Sequence, residues 1–183
     1  MSLLTLALIA LFALMAGPAI ANAQTKDSAE ISRLLNEAKS YAVQANTDAA
    51  ELESYTNSNL DWKTHAQAIE RIRGHVNNMG KLLQQMHDIK SEGTPWQKDA
   101  INSIDPLLRQ MADHLTAAIK HGNEYPNRVH MMKFKNYVRA CASLANQTER
   151  LISDIVAYDK AQAKARMLEQ KLELPPSGSP ESE

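Results

Sequence analysis

The stretch from Trp62 to Met86, "WKTHAQAIERIRGHVNNMGKLLQQM", carries the clearest structural signal in the chain. Its large side chains recur at intervals that alternate between three and four residues, which places them on one face of an α-helix. This seam comprises Trp62, His65, Ile69, Ile72, Val76, Met79, Leu83 and Met86. The pattern predicts a long amphipathic helix from about Leu60 to Lys90, and either Asn59 or Asp61 can cap its start.

Two other segments show the same spacing. The first runs from about Asp27 to Tyr55, and its alanine-rich seam permits close approach of a partner helix. The third segment has Thr94 as a predicted N-cap and Pro95 at its first helical position, a strong start signal. Asp105-Pro106 interrupts it, so we expect a kink there, with Asp105 as a second cap. The two seams comprise Ile31, Leu35, Ala38, Ala42, Ala45, Ala49 and Leu52, and Ile101, Ile104, Leu108, Met111, Leu115 and Ala118.

A fourth helix is predicted to begin after Tyr125-Pro126 and to continue to Leu172, which makes it the longest. Its predicted buried side comprises Phe134, Val138, Cys141, Leu144, Leu151, Ile155 and Tyr158. Farther along, the heptad spacing is kept by Ala161, Ala165, Leu168 and Leu172. The last turns must either overhang the other helices or pack on Ile31 and Leu35 of the first helix. An overhang would offer an apolar stripe to a homodimer partner or to the helix of another protein.

Short loops between long amphipathic helices favour antiparallel neighbours. The sequence therefore predicts an all-α, up-down-up-down four-helix bundle with a long C-terminal helix. A very long helical hairpin that dimerises is the competing arrangement. The bundle domain is expected to cover residues 24–173, and residues 174–183 are expected to form a disordered acidic tail.

The first 23 residues have the pattern of a secretory signal peptide. An apolar run from Leu3 to Ala16 is broken by Gly17-Pro18, and a small-x-small motif ends at Ala23. No lysine or arginine precedes Lys26, which is atypical for a signal. An uncleaved membrane anchor is the alternative, since the apolar stretch has about the 20 residues that a span needs. Cleavage would leave a periplasmic or secreted protein.

Composition excludes several classes of function. The chain has 183 residues and a formal net charge of −1, without the basic excess of a nucleic-acid-binding protein. No polybasic patch favours an anionic membrane, so we expect no membrane contact after signal cleavage. The single cysteine, Cys141, cannot form an internal disulfide. No Gly-x-Ser-x-Gly, His-Glu-x-x-His, Glu-x-x-His or glycine-rich phosphate motif is present, so we expect no catalytic activity.

Histidines supply the main candidate for a ligand site. In an antiparallel bundle, the start of the second helix, the end of the third and the start of the fourth lie at one end. The sequence places four histidines there, and neutral imidazole suits zinc, copper or haem iron. The candidate metal ligands are His65, His114, His121 and His130.

The sequence leaves two other possibilities open for these histidines, haem binding and simple packing. Haem could be held between His65 or His130 and a methionine, of which the candidates are Met79, Met111 and Met131. Alternatively, the histidines only pack at a helix corner, where a histidine at a helix C-terminus is favoured by the helix dipole.

Three stretches carry a family resemblance: "NLDWKTHAQAIERIRGHVNNMGKLL" at 59–83, "GTPWQKDAINSIDPLL" at 93–108 and "LISDIVAYDKAQAK" at 151–164. They resemble a family of secreted, uncharacterised bacterial all-helical proteins. The resemblance implies export and helicity, and no functional residue can be carried over from it. We therefore expect a non-catalytic exported bundle with a binding or structural role in the cell envelope. A metal- or haem-binding periplasmic bundle is the alternative.

Overall fold

The computed structural model describes residues 28–172, which form four helices and no strand. The helices are α1 (Ala29–Tyr55), α2 (Trp62–Asp88), α3 (Pro95–Glu124) and α4 (Met132–Leu172). Single 3₁₀ turns, Lys90–Glu92 and Pro126–Arg128, lie in the last two connections. The predicted all-α bundle with a long C-terminal helix is therefore confirmed. The predicted signal peptide and the acidic tail from 174 to 183 lie outside the described residues.

The four helices form a closed ring of neighbours. Each helix packs against the next one in the chain, and α4 packs against α1. At one end of the bundle the starts of α1 and α3 meet, and we call this end the Gln97 pole because Ser28 and Gln97 are hydrogen-bonded there. At the other end the α2 residue Trp62 and the α4 residue Phe134 are in ring contact, and we call this end the Phe134 pole.

The predicted seams of the first three helices form the core. All seven seam residues predicted for α1 and all six predicted for α3 are buried. The α2 seam is also buried apart from Trp62, which is half-buried. Burying one leucine, isoleucine or methionine side chain stabilises a fold by about 1.5–3 kcal/mol. The regular spacing therefore supplies most of the apolar stabilisation of the bundle.

The predicted seam of α4 is right only as far as Leu144. Beyond that point Leu151 and Ile155 are half-buried, and Tyr158 is 47% exposed. The residues that are buried instead are Ala145, Thr148, Ile152 and Val156. A helix with 3.6 residues per turn drifts relative to a strict heptad repeat. Thr148 was not predicted to be buried because it is polar. Its hydroxyl donates a hydrogen bond to the Leu144 carbonyl at 2.8 Å, which satisfies the hydroxyl group in the core.

The helix starts follow the predicted capping signals. The Asp61 carboxylate accepts a hydrogen bond from the Thr64 amide at 2.9 Å at the start of α2. Pro95 begins α3 directly after its N-cap, Thr94. The expected second cap within α3 is not formed, because α3 is continuous through Pro106 and the Asp105 carboxylate instead accepts from the Arg109 guanidinium at 2.8 Å.

Gln97 joins two helix starts at the Gln97 pole. Its side chain is fully buried, and its amide oxygen accepts from the Thr94 and Ser28 backbone amides at 3.1 and 3.0 Å. Its amide nitrogen donates to the Ser28 carbonyl at 3.0 Å and to the Ser32 hydroxyl at 3.3 Å. One side chain thus satisfies backbone groups that a helix start leaves unpaired, on α1 and α3 together.

We expect Gln97→Ala to lower the free energy of unfolding by about 2–4 kcal/mol, because it leaves buried backbone groups unpaired and opens a cavity. Gln85→Ala, at an exposed glutamine of α2, is the matched control and should change stability by less than about 0.5 kcal/mol. Urea denaturation followed by circular dichroism measures both. Equal stability of the two variants would contradict the role given to Gln97.

Candidate functional site

Phe134 is the centre of an aromatic cluster at the Phe134 pole. Its side chain is fully buried. The ring centroids of Trp62, His65 and His121 lie 6.0, 5.5 and 6.2 Å from the Phe134 ring centroid. Tyr55 contacts His65 from the end of α1, with ring centroids 6.2 Å apart. All four helices therefore contribute rings to this cluster, and two of the four candidate histidines belong to it.

His65 is fixed in one tautomer by its own helix. It lies one turn into α2 and is 1% exposed. Its Nδ1 atom is 2.8 Å from the Asp61 carbonyl oxygen, which can only accept, so Nδ1 carries the hydrogen. The Nε2 atom is left as an acceptor, and it is buried without a hydrogen-bond partner among the described residues. Such an orphaned atom costs about 1–3 kcal/mol.

His121 approaches the same phenylalanine from the last turn of α3. It is 8% exposed, and its ring stacks on Phe134 with an interplanar angle of 28°. Tyr125 covers the ring at a centroid distance of 5.3 Å. The Nε2 atom of His121 is also buried with no hydrogen-bond partner in the described part of the chain. The pole therefore holds two unpaired imidazole nitrogens beside one aromatic ring.

The other two candidate histidines do not join this pair. His114 is half-exposed on α3, and His130 is exposed in the turn before α4, which begins only at Met132. His130 and Asp61 both line an open surface groove of about 440 Å³. Within residues 28–172 no three His, Cys, Asp or Glu side chains are placed to hold a metal ion. The four histidines thus do not converge as expected, and metal binding stays a prediction.

The methionines proposed as haem ligands lie in different environments. Met79 and Met111 are buried in the core of the bundle, at 1% and 0% exposure. Met131 is 47% exposed, next to His130 in the α3–α4 connection. Met79 and Met111 therefore act as packing groups in this structure, which is the common use of methionine in a core.

Gly122 allows the Phe134 pole to close. A Cβ atom at this position would lie 2.2 Å from the Trp62 ring, far inside van der Waals contact. The Trp62 indole also donates a hydrogen bond to the Asn123 side chain at 3.2 Å. Sequence reasoning missed this residue, although a glycine within the last turns of a helix is a signal that another group approaches closely.

Cys141 lies in the core on α4 and is 1% exposed. Burial raises the pKa of its thiol to about 12, so almost none of it is thiolate at neutral pH. Since the thiolate is the reactive species, this cysteine is a packing group.

A second candidate surface is the part of α4 from 160 to 172, which we call the α4 extension. Val156 is the last buried residue of α4, and Asp159 accepts a hydrogen bond from the Ser32 hydroxyl at 3.0 Å. No residue of the extension is buried, and its large apolar side chains are exposed: Met167 by 61%, Leu168 by 43% and Leu172 by 60%.

The expectation that the last turns pack on Ile31 and Leu35 is wrong. Both α1 residues are fully buried, whereas Leu168 and Leu172 stay exposed and therefore do not pack into the core. The reason is the direction of the helix face. At about 100° per residue, the five steps from Val156 to Ala161 make one full turn and about 140° more. Ala161 therefore lies about 140° around the helix from the last buried residue. The stripe that we call the extension seam comprises Ala161, Ala165, Leu168 and Leu172.

The extension seam therefore points away from the bundle. Relative to Val156, its four members lie at about 120–180° around the helix axis. Arg166, a half-buried residue of the extension, lies at about 80° from Val156 and is therefore nearer the bundle than the seam. The apolar stripe can only be covered by something other than the described part of this molecule.

Comparisons with known proteins supply no family for this chain. No family model matches it, and neither the curated proteins nor the solved structures that were searched gave a match. The resemblance to secreted helical proteins stays a prediction, and the functional argument rests on the geometry of the Phe134 pole and the α4 extension.

We expect two glycine substitutions to change stability in opposite directions. Gly122→Ala should lower the free energy of unfolding by about 1–3 kcal/mol, because the new methyl group overlaps the Trp62 ring. Gly80→Ala should raise it by about 0.5–1 kcal/mol, since Gly80 lies within α2 with no atom near the added methyl group and alanine favours the helix. Thermal and urea unfolding measure both changes. The same sign for both variants would contradict the packing of the Phe134 pole.

Proposed function

We propose that this protein is a non-catalytic, exported helical bundle that binds another protein chain through the α4 extension. The observation that carries the proposal is the extension seam, which is helical, exposed and turned away from its own bundle. Leu168 and Leu172 are large apolar residues at the spacing that a partner helix recognises.

Energetics favour a helical partner for this surface. The extension continues a helix that the bundle already nucleates, so its backbone is ordered before a partner arrives. Covering exposed leucines stabilises a complex by up to about 1.5–3 kcal/mol each. A helix laid along the seam would cover all four members at once, because their spacing of four, three and four keeps them in line.

Export is supported by the sequence of residues 1–23, which precede the described part of the chain. Among residues 28–172, no helix is long and apolar enough to cross a membrane. A bundle released by cleavage after Ala23 would place the α4 extension in the periplasm or outside the cell, and its partner would belong to the envelope or to the same compartment.

Site-specific photo-crosslinking tests the proposal in cells that produce the protein from its full sequence. A photoreactive amino acid at Leu168 should give a discrete adduct, because the seam is in contact with a partner. Val43 on α1 is the matched control, since its side chain is also 43% exposed. The control position should give no discrete adduct.

The absence of an adduct at Leu168, or equal adducts at both positions, would contradict the proposal that the extension is a binding surface. The intact mass of the same purified protein tests export separately. A chain that begins at Gln24 is expected, and an uncleaved chain would contradict release from the membrane.

Metal binding is the second candidate function, and it is favoured by the two orphaned Nε2 atoms of His65 and His121. Neutral imidazole binds zinc or copper through such an atom. This candidate predicts that Zn²⁺ or Cu⁺ raises the unfolding temperature. Metal at 100 times its Kd should add about 2.7 kcal/mol to the free energy of unfolding.

The increase should be lost in His65→Phe and in His121→Phe. It should persist in His87→Ala, whose half-buried histidine lies at the Gln97 end of α2. Metal analysis of the untreated protein and calorimetry with each ion are the measurements. An unchanged unfolding temperature with both ions would rule out this candidate.

A further inference from the structure

We propose that the groove between α2 and α3 is a binding site for an amphipathic anion, namely a single acyl chain that ends in a carboxylate. The groove has a volume of about 600 Å³ and is open to solvent. Its lining residues all belong to α2 and α3, and none of them lies at the Phe134 pole or on the α4 extension. The inference therefore goes beyond the proposed function and does not depend on it.

Large apolar side chains of the core line this groove. Val76 and Leu83 of α2 and Leu108 of α3 each keep 5% exposure, whereas the α2 core residues Ile72 and Met79 are at 0% and 1%. The three lining residues are thus core side chains that still reach solvent. An apolar ligand would cover surface that the bundle itself leaves uncovered, which is favourable.

Gly80 keeps the groove open. It lines the groove, and a Cβ atom at this position would have no other atom within 4 Å. On the α3 side the lining includes Ala112, another small residue. Glycine within a helix lowers its stability relative to alanine, so the folding of α2 does not itself favour a glycine here. The free space beside Gly80 is room for a ligand.

The groove has the shape of a trough. On α2 its lining extends from Val76 to His87, which is about 17 Å along the helix axis. An extended acyl chain can lie along such a trough, whereas a compact ligand would leave much of the apolar lining uncovered. The volume is within the range of about 300–1,000 Å³ that is typical of small-molecule sites.

The charges in the lining favour an anion. Lys81 on α2 and Arg109 on α3 are its two cations. Asp105 is the only carboxylate in the lining, and it pairs with the Arg109 guanidinium at 2.8 Å. Lys81 is exposed and forms no ion pair within residues 28–172. One positive charge is therefore left in excess, and Lys81 can meet the carboxylate of the ligand while the acyl chain lies along the apolar lining.

The α4 extension is the competing surface for an amphipathic anion. It carries Lys164 and Lys171 beside the exposed Leu168 and Leu172. However, a single exposed helix can cover only one side of an acyl chain. The groove has two helices as walls, and small-molecule sites are concave because concave surfaces bury most of the ligand. The geometry therefore favours the groove.

Calorimetric titration with laurate, kept below the concentration at which it forms micelles, tests the inference on protein made from the full sequence. We expect saturable binding of one laurate per chain. Decanoate, which is shorter by two methylene groups, should bind about tenfold more weakly, because each buried methylene group adds to the binding free energy. The absence of saturable binding would overturn the inference.

Two glycines of α2 offer a matched pair of variants that locates the site. Gly74 and Gly80 are both exposed, and neither has an atom within 4 Å of an added Cβ, but only Gly80 lines the groove. Gly80→Leu should fill the groove and weaken laurate binding by about tenfold or more, whereas Gly74→Leu should bind like the parent.

Circular dichroism should show that both leucine variants remain folded, because leucine favours a helix more than glycine does. Equal laurate affinity of the two variants would overturn the assignment of the ligand to the groove.

A charge reversal tests the role of Lys81. Lys81→Glu should weaken laurate binding by about three- to tenfold, because it replaces an attractive charge with a repulsive one. Lys63→Glu is the matched control, since Lys63 is also exposed on α2 but does not line the groove. Unchanged affinity in Lys81→Glu would show that this lysine does not meet the carboxylate.

Two further measurements separate the possible sources and sites of the ligand. Leu168→Glu should bind laurate like the parent, and a loss of binding in this variant would place the anion on the α4 extension and overturn the inference. Sedimentation with phosphatidylglycerol vesicles tests for acyl chains in a membrane. Binding to vesicles without binding to free laurate would also overturn it. The photo-adduct at Leu168 is independent of these results, so failure of this inference is distinguishable from failure of the proposed function.

Discussion

The difference in helix length makes the two ends of this bundle unlike each other. α4 has 41 residues and α1 has 27, so at 1.5 Å per residue α4 is longer by about 21 Å. At the Phe134 pole the four helices end at about the same height along the bundle, because both loops are short and aromatic rings fill the space between the helix ends. The excess length of α4 must therefore emerge at the Gln97 pole, where neither α1 nor α3 continues beside it within the described residues. This single mismatch exposes the extension.

The two poles are stabilised by different chemistry. At the Gln97 pole a buried amide satisfies the backbone of two helix starts, and each of its polar atoms has a partner. At the Phe134 pole the rings of His65 and His121 pack on Phe134, and each leaves one nitrogen unpaired. The unpaired nitrogens cost stability, and the aromatic contacts offset part of it. The Gln97 side chain is fully paired, whereas His65 and His121 each keep an unused hydrogen-bonding atom.

The sequence predicts local and periodic features of this fold well. The seams of α1, α2 and α3 and the caps at Asp61 and Thr94 depend on residues within a few positions of one another, so they could be identified without a structure. Features set by more distant contacts were missed or misplaced. The second half of the α4 seam drifted out of the strict heptad, and the contact of Gly122 with Trp62 joins residues from two helices.

The candidate sites show the same division. Placing His65, His121 and His130 at one pole required only chain direction, and that placement was correct. Their convergence required the rotation of each helix and the first residue of α4, which spacing alone does not provide. The extension seam was identified by its spacing, but its direction depends on where the buried stripe of α4 ends, at Val156. Short-range patterns thus predicted which residues could act, and the packing determined where they point.

The same packing explains why we propose the extension, and not the Phe134 pole, as the binding surface. At the Phe134 pole, Trp62 fills the space above Gly122, and both orphaned nitrogens are buried, so a metal ion could reach them only after the rings separate. The extension needs no rearrangement, because its apolar side chains are already exposed on an ordered helix. Binding there gains apolar burial without the cost of opening a core, whereas binding at the pole must first offset the loss of aromatic contacts. On that comparison the free energy favours a partner chain at the extension over a ligand at the pole.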